Sequence, residues 1–128
     1  MVVQYQTSSP IYLQLAERIQ RRILRRELKP GDKMPSVREM AVQSNVNPNT
    51  VQRTYSELER MGIVETRRGQ GTFITENEEQ LDRLRHEMRN EQIRSFVRGM
   101  EEMGFSPREI LSGLKNYLEE QSERGEDE

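Results

Sequence analysis

Five polar residues lie close together between positions 47 and 53: Asn47, Asn49, Thr50, Gln52 and Arg53. Asparagine and glutamine can form paired hydrogen bonds with the edge of adenine, and arginine can form them with guanine. The spacing leaves these side chains pointing outward near the start of a predicted helix. They are suited to contact base edges in a major groove, although an ordinary solvated helix face has the same composition.

A second group follows a short predicted strand. Arg68, Gly69 and Gln70 form the tip of a predicted β-hairpin, where an arginine can bind phosphate and glycine lets the main chain come close. The alternatives are a solvated arginine and glycines that only serve the turn. A nucleotide-binding fingerprint is disfavoured because Gly69 and Gly71 are followed by neither a third glycine nor a helix.

Residues suited to catalysis or metal binding are scarce. The chain has no cysteine and a single histidine, His86, between Arg85 and Glu87. This excludes disulfides, thiolate metal sites and a cysteine nucleophile, and it favours a surface histidine. Nucleophile-elbow, phosphate-loop and His-Glu-x-x-His patterns are also missing from the sequence. We therefore expect no catalysis, no metal and no cofactor.

Length and composition indicate one domain, or one small domain with an appendage. The 128 residues are 32% apolar and 33% charged, so the core is thin and dimerisation would stabilise it. No apolar stretch is long enough to span a membrane, and the first ten residues lack the features of a signal peptide. We expect a cytoplasmic protein that does not bind membranes.

Charge is divided unevenly along the chain. Residues 1–75 have a formal charge of +5 and residues 76–128 one of −7. A basic first part indicates an anionic partner such as nucleic acid, while solvated helix faces are the alternative.

Three helices are predicted in the basic part. The first runs from about Pro10 to Leu28 with Ser9 as its cap, and a turn follows it. The second begins with a capping box of Ser36 and Glu39 and ends near residues 44–45. The third has Asn47 as its cap and ends near Met61, before Gly62.

Strands are predicted at residues 63–67 and 72–74. Helix, short helix, tight turn, helix and hairpin is the order of a winged helix-turn-helix domain. The predicted fold is therefore mainly α with a small β-hairpin, followed by two further helices.

Those helices are predicted over residues 78–103 and from a capping box at Ser106 to Leu118, with a frayed acidic tail from Glu119. Their apolar faces need a partner, and a symmetric dimer is the commonest one. An intramolecular hairpin that supports a monomer is the alternative. The expected dimerisation residues are Leu84, Met88, Phe96, Val97, Met100, Leu111, Leu114 and Leu118.

The segment PSVREMAVQSNVNPNTVQRTYSELERMGIVETRRGQGTFI, with PIYLQLAERIQRRILRRELKPGDKM upstream, resembles the DNA-binding domain of GntR-family bacterial transcription regulators. The resemblance covers residues 9–75. Only 53 residues follow. A segment of this length resembles the short two-helix tail of the YtrA-type subfamily and is too short for a large effector domain. It implies a homodimeric repressor with a pseudo-palindromic operator, frequently that of a transporter operon.

The same resemblance assigns roles to individual residues. Arg38 matches an arginine on the second helix that contacts phosphate or base, and the polar residues from Asn47 to Arg53 match the start of the recognition helix. Arg68, Gly69 and Gln70 match the wing. Pro48 stands where other branches often have a base-contacting arginine, so the operator sequence of those branches does not transfer.

The expected organisation is an arm at residues 1–8, a winged helix-turn-helix domain at 9–75, a helical dimerisation segment at 76–118 and an acidic tail at 119–128. The expected function is sequence-specific DNA binding in transcription regulation. A winged-helix module that binds protein, without an operator, is the alternative. A small-molecule effector could enter a pocket between the tail helices and the winged domain, but the sequence does not identify one.

Overall fold

A computed structural model of the chain describes residue 5 and residues 8–125. Of the predicted arm at residues 1–8, only Tyr5 and Ser8 fall within this part, and the last three residues of the predicted tail lie outside it. The described residues form five helices and one antiparallel hairpin, which confirms the predicted fold class. In chain order they are α1 (Ile11–Leu24), α2 (Val37–Ser44), α3 (Pro48–Arg60), β1 (Val64–Arg67), β2 (Gly71–Ile74), α4 (Glu78–Glu102) and α5 (Pro107–Glu123).

The chain divides into two compact units, one ending at Arg85 and the other beginning at His86. The first unit contains the winged helix-turn-helix, in which α1 and α2 both pack against α3. Its core is apolar and closely filled. The side chains almost fully withdrawn from solvent include Ile19, Ile23, Met40, Val51, Leu58, Ile63, Val64 and Ile74.

The start of α1 differs from the prediction. Pro10 is the N-cap, with an extended backbone and no side-chain cap, so the prediction that Ser9 caps this helix is wrong. The ψ angle of 143° at Pro10 places that residue before the helix rather than in its first position.

The end of α1 also comes earlier than predicted, at Leu24 instead of Leu28. Arg26 adopts a left-handed backbone with φ 63°, and its N–H donates to the carbonyl of Ile23 at 3.0 Å. The N–H of Glu27 donates to the carbonyl of Arg22 at 2.9 Å, which completes a Schellman motif. This reversal is difficult to predict because the left-handed position is usually glycine.

The caps of the next two helices are as predicted. Ser36 accepts a hydrogen bond from the backbone of Glu39, whose carboxylate accepts one from the Ser36 N–H. Asn45 ends α2 in a left-handed conformation, and Asn47 caps α3 with Pro48 as its first residue. These caps can be predicted from the sequence because each depends only on residues a few positions apart.

A third segment, residues 31–34, pairs with the hairpin, and the sequence did not predict this pairing. β1 pairs with β2 in the register Val64 to Ile74 through Arg67 to Gly71. On the other side of β2, the Met34 N–H donates to the carbonyl of Thr72 at 2.7 Å. The turn between α1 and α2 is therefore joined to the wing by backbone hydrogen bonds.

In the second unit, α4 ends before Gly104, which has φ 91°, and the predicted capping box of Ser106 and Glu109 is present. α5 continues to Glu123, so the predicted end at Leu118 is too early. Glutamate and glutamine are good helix formers, and an acidic, polar composition therefore does not end a helix by itself.

The predicted dimerisation residues are not equally exposed. Leu84, which belongs to the first unit, is only 4% exposed in the single chain, so it retains little surface for another copy. Phe96, Leu111, Leu114 and Leu118 are exposed in the second unit, while Met88, Val97 and Met100 are half-buried.

The burial of Leu58 predicts its contribution to stability. Leu58→Ala should lower the free energy of unfolding by about 2–5 kcal/mol, because it leaves a cavity at a site with 0% exposure. Val42→Ala is the control, because Val42 is 83% exposed and the change should stay within about 0.5 kcal/mol. Urea unfolding followed by circular dichroism at one protein concentration measures both. Equal losses in the two variants would contradict the assigned core.

Candidate nucleic-acid interface

The first turn of α3 is fixed by its own cap. The side-chain oxygen of Asn47 accepts a hydrogen bond from the Asn49 N–H at 2.7 Å. Pro48 takes the first helical position, where a missing N–H costs nothing. Asn47 therefore has a structural role here, and its exposed side chain still lies beside the other polar residues.

The outward face of α3 has the composition expected of a base-reading surface. Asn49, Gln52 and Arg53 are exposed, and Thr50 is half-buried. All of them lie within the first two turns, where a recognition helix contacts base edges. Their shared helix keeps these side chains at a fixed spacing.

The opposite face of α3 is tied to α1. Thr54 is fully buried, and its hydroxyl lies 3.0 Å from the carbonyl oxygens of Tyr12 and Thr50. One of these carbonyls belongs to α1 and the other to the preceding turn of α3. The contact sets the position of the recognition helix along α1.

Tyr12 also contacts one of the outward residues. The guanidinium carbon of Arg53 lies 4.1 Å from the centre of the Tyr12 ring, which is a cation–π contact. Tyr12 follows the helical spacing of the apolar face of α1, so this contact with Arg53 is not visible in the sequence. Tyr12 is half-buried, which is compatible both with a place on the apolar face of α1 and with the contact to Arg53.

Arg38 lies on α2 and is exposed. The start of α2 is connected to α3 by the hydroxyl of Tyr55, which donates to the carbonyl of Pro35 at 2.7 Å. Burial raises the pKa of Tyr55, and the nearby Glu39 carboxylate raises it further. The phenol consequently stays protonated and keeps this hydrogen bond at all physiological pH values.

The wing tip is exposed. Arg68, Gly69 and Gln70 form a tight turn in which the Gln70 N–H donates to the carbonyl of Arg67 at 2.8 Å. Gly69 has φ 75°, a conformation that most residues avoid, and the space beside its Cα is open. Glycine is therefore explained by backbone geometry alone, and the open space permits close approach of another molecule.

Two further cations lie beside this tip. Arg67 stacks on Phe73, with 4.2 Å between the guanidinium carbon and the ring centre. Lys33 is exposed and lies so close to Gly71 that a Cβ there would come within 2.8 Å of the Lys33 Cε. Lys33 cannot be assigned to the wing from the sequence, because only the pairing of residues 31–34 with β2 brings it there.

The hairpin is fixed against the end of α3. The Thr66 hydroxyl donates to a carboxylate oxygen of Glu59 at 3.2 Å, and the Ile63 N–H donates to the carbonyl of Leu58 at 2.9 Å. The wing and the recognition helix are thus parts of one packed unit, so their exposed polar groups have a defined relative position.

The described residues contain no group of histidine and acidic side chains arranged to hold a metal ion. None of the helices in this part of the chain combines the length and apolar character needed to cross a bilayer. The exposed polar groups of α2, α3 and the wing instead offer hydrogen bonds and positive charge to a partner.

Comparison with known proteins identifies this arrangement. The family of bacterial regulatory proteins known as the gntR family matches residues 11–74. The HTH-type transcriptional regulator YhcF of Bacillus subtilis (strain 168) is 58% identical over 116 residues, which cover 91% of this chain and 96% of YhcF. The HTH-type transcriptional repressor YtrA of the same organism is 54% identical over 71 residues, covering 56% of this chain and 55% of YtrA.

Solved structures agree with this similarity. A GntR family transcriptional regulator from Listeria monocytogenes has a TM-score of 0.81 and 34% identity, covering 88% of this chain and 98% of that one. AraR(DBD), in a crystal structure with operator ORX1, has a TM-score of 0.53 and 26% identity over 59% of this chain and 95% of its own. The present chain therefore belongs to the gntR family of bacterial transcriptional regulators, which bind DNA.

Proposed function

We propose that this protein is a homodimeric repressor that binds a pseudo-palindromic operator sequence-specifically. The observation that carries the proposal is the exposed polar face at the start of α3, fixed by the Asn47 cap on one side and by Thr54 on the other. The resemblance to YtrA-type regulators noted in the sequence extends the proposal to a transporter-type operon as target. The composition extends it to the cytoplasm as the place of action.

The proposed contacts follow from the chemistry of each surface. Side chains of α3 enter the major groove, where amide and guanidinium groups bind base edges. Arg38 and the wing bind phosphates, and Lys33 joins them because of its position beside Gly71. The full set is Arg38, Asn47, Asn49, Thr50, Gln52, Arg53, Arg68, Gly69 and Gln70, with Lys33 added.

Dimerisation is proposed through the second unit. Five of its large apolar side chains are more than half exposed: Ile93, Met103, Leu111, Tyr117 and Leu118, of which Leu111 reaches 70%. Burying such surface against an identical copy is favourable and needs no further partner. We keep the predicted residues from Met88 to Leu118, all of which lie in this unit, and remove Leu84 because the single chain already buries it.

We propose DNA binding by residues 9–75 and, within the predicted helical segment at residues 76–118, dimerisation by the part from His86 onwards. In this proposal the protein is a regulator and not an enzyme. A small-molecule effector would regulate it by binding the DNA-competent and incompetent arrangements with different affinity.

Fluorescence anisotropy with the DNA upstream of the protein's own gene tests the proposal. Random duplex serves as competitor, and the titration is done at two salt concentrations. Competitor-resistant binding that weakens steeply with salt is expected, because bound phosphates release counterions. Binding no tighter than that of random DNA would contradict specific recognition of this site and favour the protein-binding module.

Arg68 and Gln52 should affect binding in different ways. Arg68→Ala should weaken binding to all duplexes and reduce the salt slope by about 1, as expected for a lost phosphate contact. Gln52→Ala should remove about 1–3 kcal/mol of preference at particular base pairs. The same anisotropy assay, with operator variants, measures both. Arg85→Ala and Gln92→Ala on α4 are the matched controls, and a loss in the controls as large as that in the test variants would contradict the assignment.

Tyr12 should act on binding through Arg53. Tyr12→Leu should weaken operator binding about two- to fivefold, since an exposed cation–π contact contributes about 0.5–1 kcal/mol. Tyr12→Phe retains the ring and should bind as the unchanged protein does. In an Arg53→Ala background, Tyr12→Leu should have no further effect. A full additional loss in that background would show that Tyr12 acts independently of Arg53.

Leu114 tests the proposed dimer. Leu114→Glu should shift the protein towards monomer in sedimentation equilibrium, because it places a charge in the apolar contact. Val42→Glu introduces the same charge at an exposed apolar site of the first unit, and the protein should keep the sedimentation mass of the dimer. Dimerisation through this unit would be refuted if the protein without substitutions were monomeric at micromolar concentration. Equal shifts towards monomer in both variants would refute it as well.

A further inference from the structure

A groove between α1 and α2 has a composition that DNA binding does not explain. It has a volume of about 560 Å³, within the range of small-molecule sites. Residues from α1, from the turn after it and from α2 form its walls together with Tyr5. They are Tyr5, Leu15, Arg18, Ile19, Arg21, Arg22, Arg25, Glu27, Met40, Gln43 and Ser44.

Four arginines form one side of this groove. Arg18, Arg21, Arg22 and Arg25 follow each other at spacings of three, one and three residues, so they share one face of α1. Together with Glu27, the one acidic residue of the lining, they give it a formal charge of +3. Like charges on one helix face repel each other, and a bound anion would relieve that repulsion.

The acidic neighbours compensate this charge only in part. Glu27 lies 2.7 Å from Arg25 and 3.4 Å from Arg22, and Glu17 lies 2.8 Å from Arg21. Every one of these side chains is about 40–60% exposed, so water screens the pairs and an incoming anion can exchange with the carboxylates.

Apart from the charged side chains, Tyr5 and the polar Gln43 and Ser44, the rest of the lining is apolar. Leu15, Ile19 and Met40 form its floor and are almost fully buried. The aliphatic stems of the arginines extend this apolar surface towards the rim. A hydrated inorganic ion would not use this floor, whereas an anion with an apolar body would contact both surfaces.

Tyr5 closes one edge of the groove. Its hydroxyl donates to the carbonyl of Ser44 at 2.9 Å, which anchors Tyr5 to the end of α2. The Arg18 guanidinium lies 5.1 Å from the centre of its ring. The ring therefore holds one of the four cations at the rim and adds an aromatic wall.

We propose that the groove between α1 and α2 binds a small organic anion, with its phosphate or carboxylate among the arginines and its apolar body on the floor. None of the nine residues assigned to operator contact by sequence lines the groove. The inference therefore stands independently of operator recognition, and binding is measured without DNA.

The probe is 1-naphthyl phosphate, titrated into the full chain by isothermal calorimetry. Saturable binding is expected, with inorganic phosphate a much weaker competitor and 1-naphthylmethylammonium, which has the same body and opposite charge, not bound. Absence of saturable binding at millimolar probe would overturn the proposal, as would equal binding of the cationic analogue.

Paired variants locate the site. Arg18→Gln with Arg22→Gln should weaken probe binding at least about tenfold, because charge-assisted hydrogen bonds are lost. Arg85→Gln with Arg98→Gln removes the same charge from exposed positions on α4 and should leave the affinity unchanged. Equal losses in the two pairs would mean general attraction to a basic protein and would overturn the site.

Gln43→Glu provides a second variant that leaves every arginine in place. Gln43 is exposed, so the change should preserve the fold while adding a repelling carboxylate to the lining, and binding should weaken. Unchanged affinity in this variant would argue against the groove.

The salt dependence of random-duplex binding separates a small anion from DNA. If the arginines bind a small anion, Arg18→Gln with Arg22→Gln should leave the salt slope unchanged. A shallower slope, with two fewer counterions released, would assign these arginines to DNA phosphates and overturn the proposal.

Discussion

The contact between α1 and α3 is the constraint on which the other surfaces depend. Thr54 and Leu58 are fully buried on the inner face of α3, and the Thr54 hydroxyl reaches the backbone of α1. A helix with one face held in this way must turn its other face outward. The polar residues of the first two turns are exposed for that reason, and Tyr12 of α1 lies within reach of Arg53. Recognition chemistry and core packing are thus two faces of the same thirteen-residue helix.

Local signals made much of the fold predictable. The capping boxes at Ser36 and Ser106 and the cap at Asn47 involve residues at most three positions apart, and each is present. The end of α1 was not predictable in the same way, because Arg26 takes a left-handed conformation that usually requires glycine. The end of α5 was predicted too early because charge was taken as a sign of fraying.

At the candidate site, too, residues that depend on local spacing could be predicted, and residues that depend on tertiary packing could not. The polar face of α3 and the tip of the wing were visible in sequence because helical spacing and turn glycines reveal them. Lys33 and Tyr12 were not, since only tertiary pairing brings Lys33 beside Gly71 and places Tyr12 under Arg53. The arginines of α1 share a helical spacing that the sequence shows, whereas the apolar lining from Met40 depends on the packing of α2.

The cap at Asn47 has a consequence for how much information this residue can carry. Its side-chain oxygen is held by the Asn49 N–H, so the orientation of the amide plane is set by the helix and not by a base. The amide then presents its NH₂ group, which donates only. Adenine and guanine both offer N7 as an acceptor, and thymine offers O4, so a lone donor separates these bases poorly. Asn47 therefore contributes little to the discrimination between base pairs. That discrimination depends on the polar side chains further along the recognition helix.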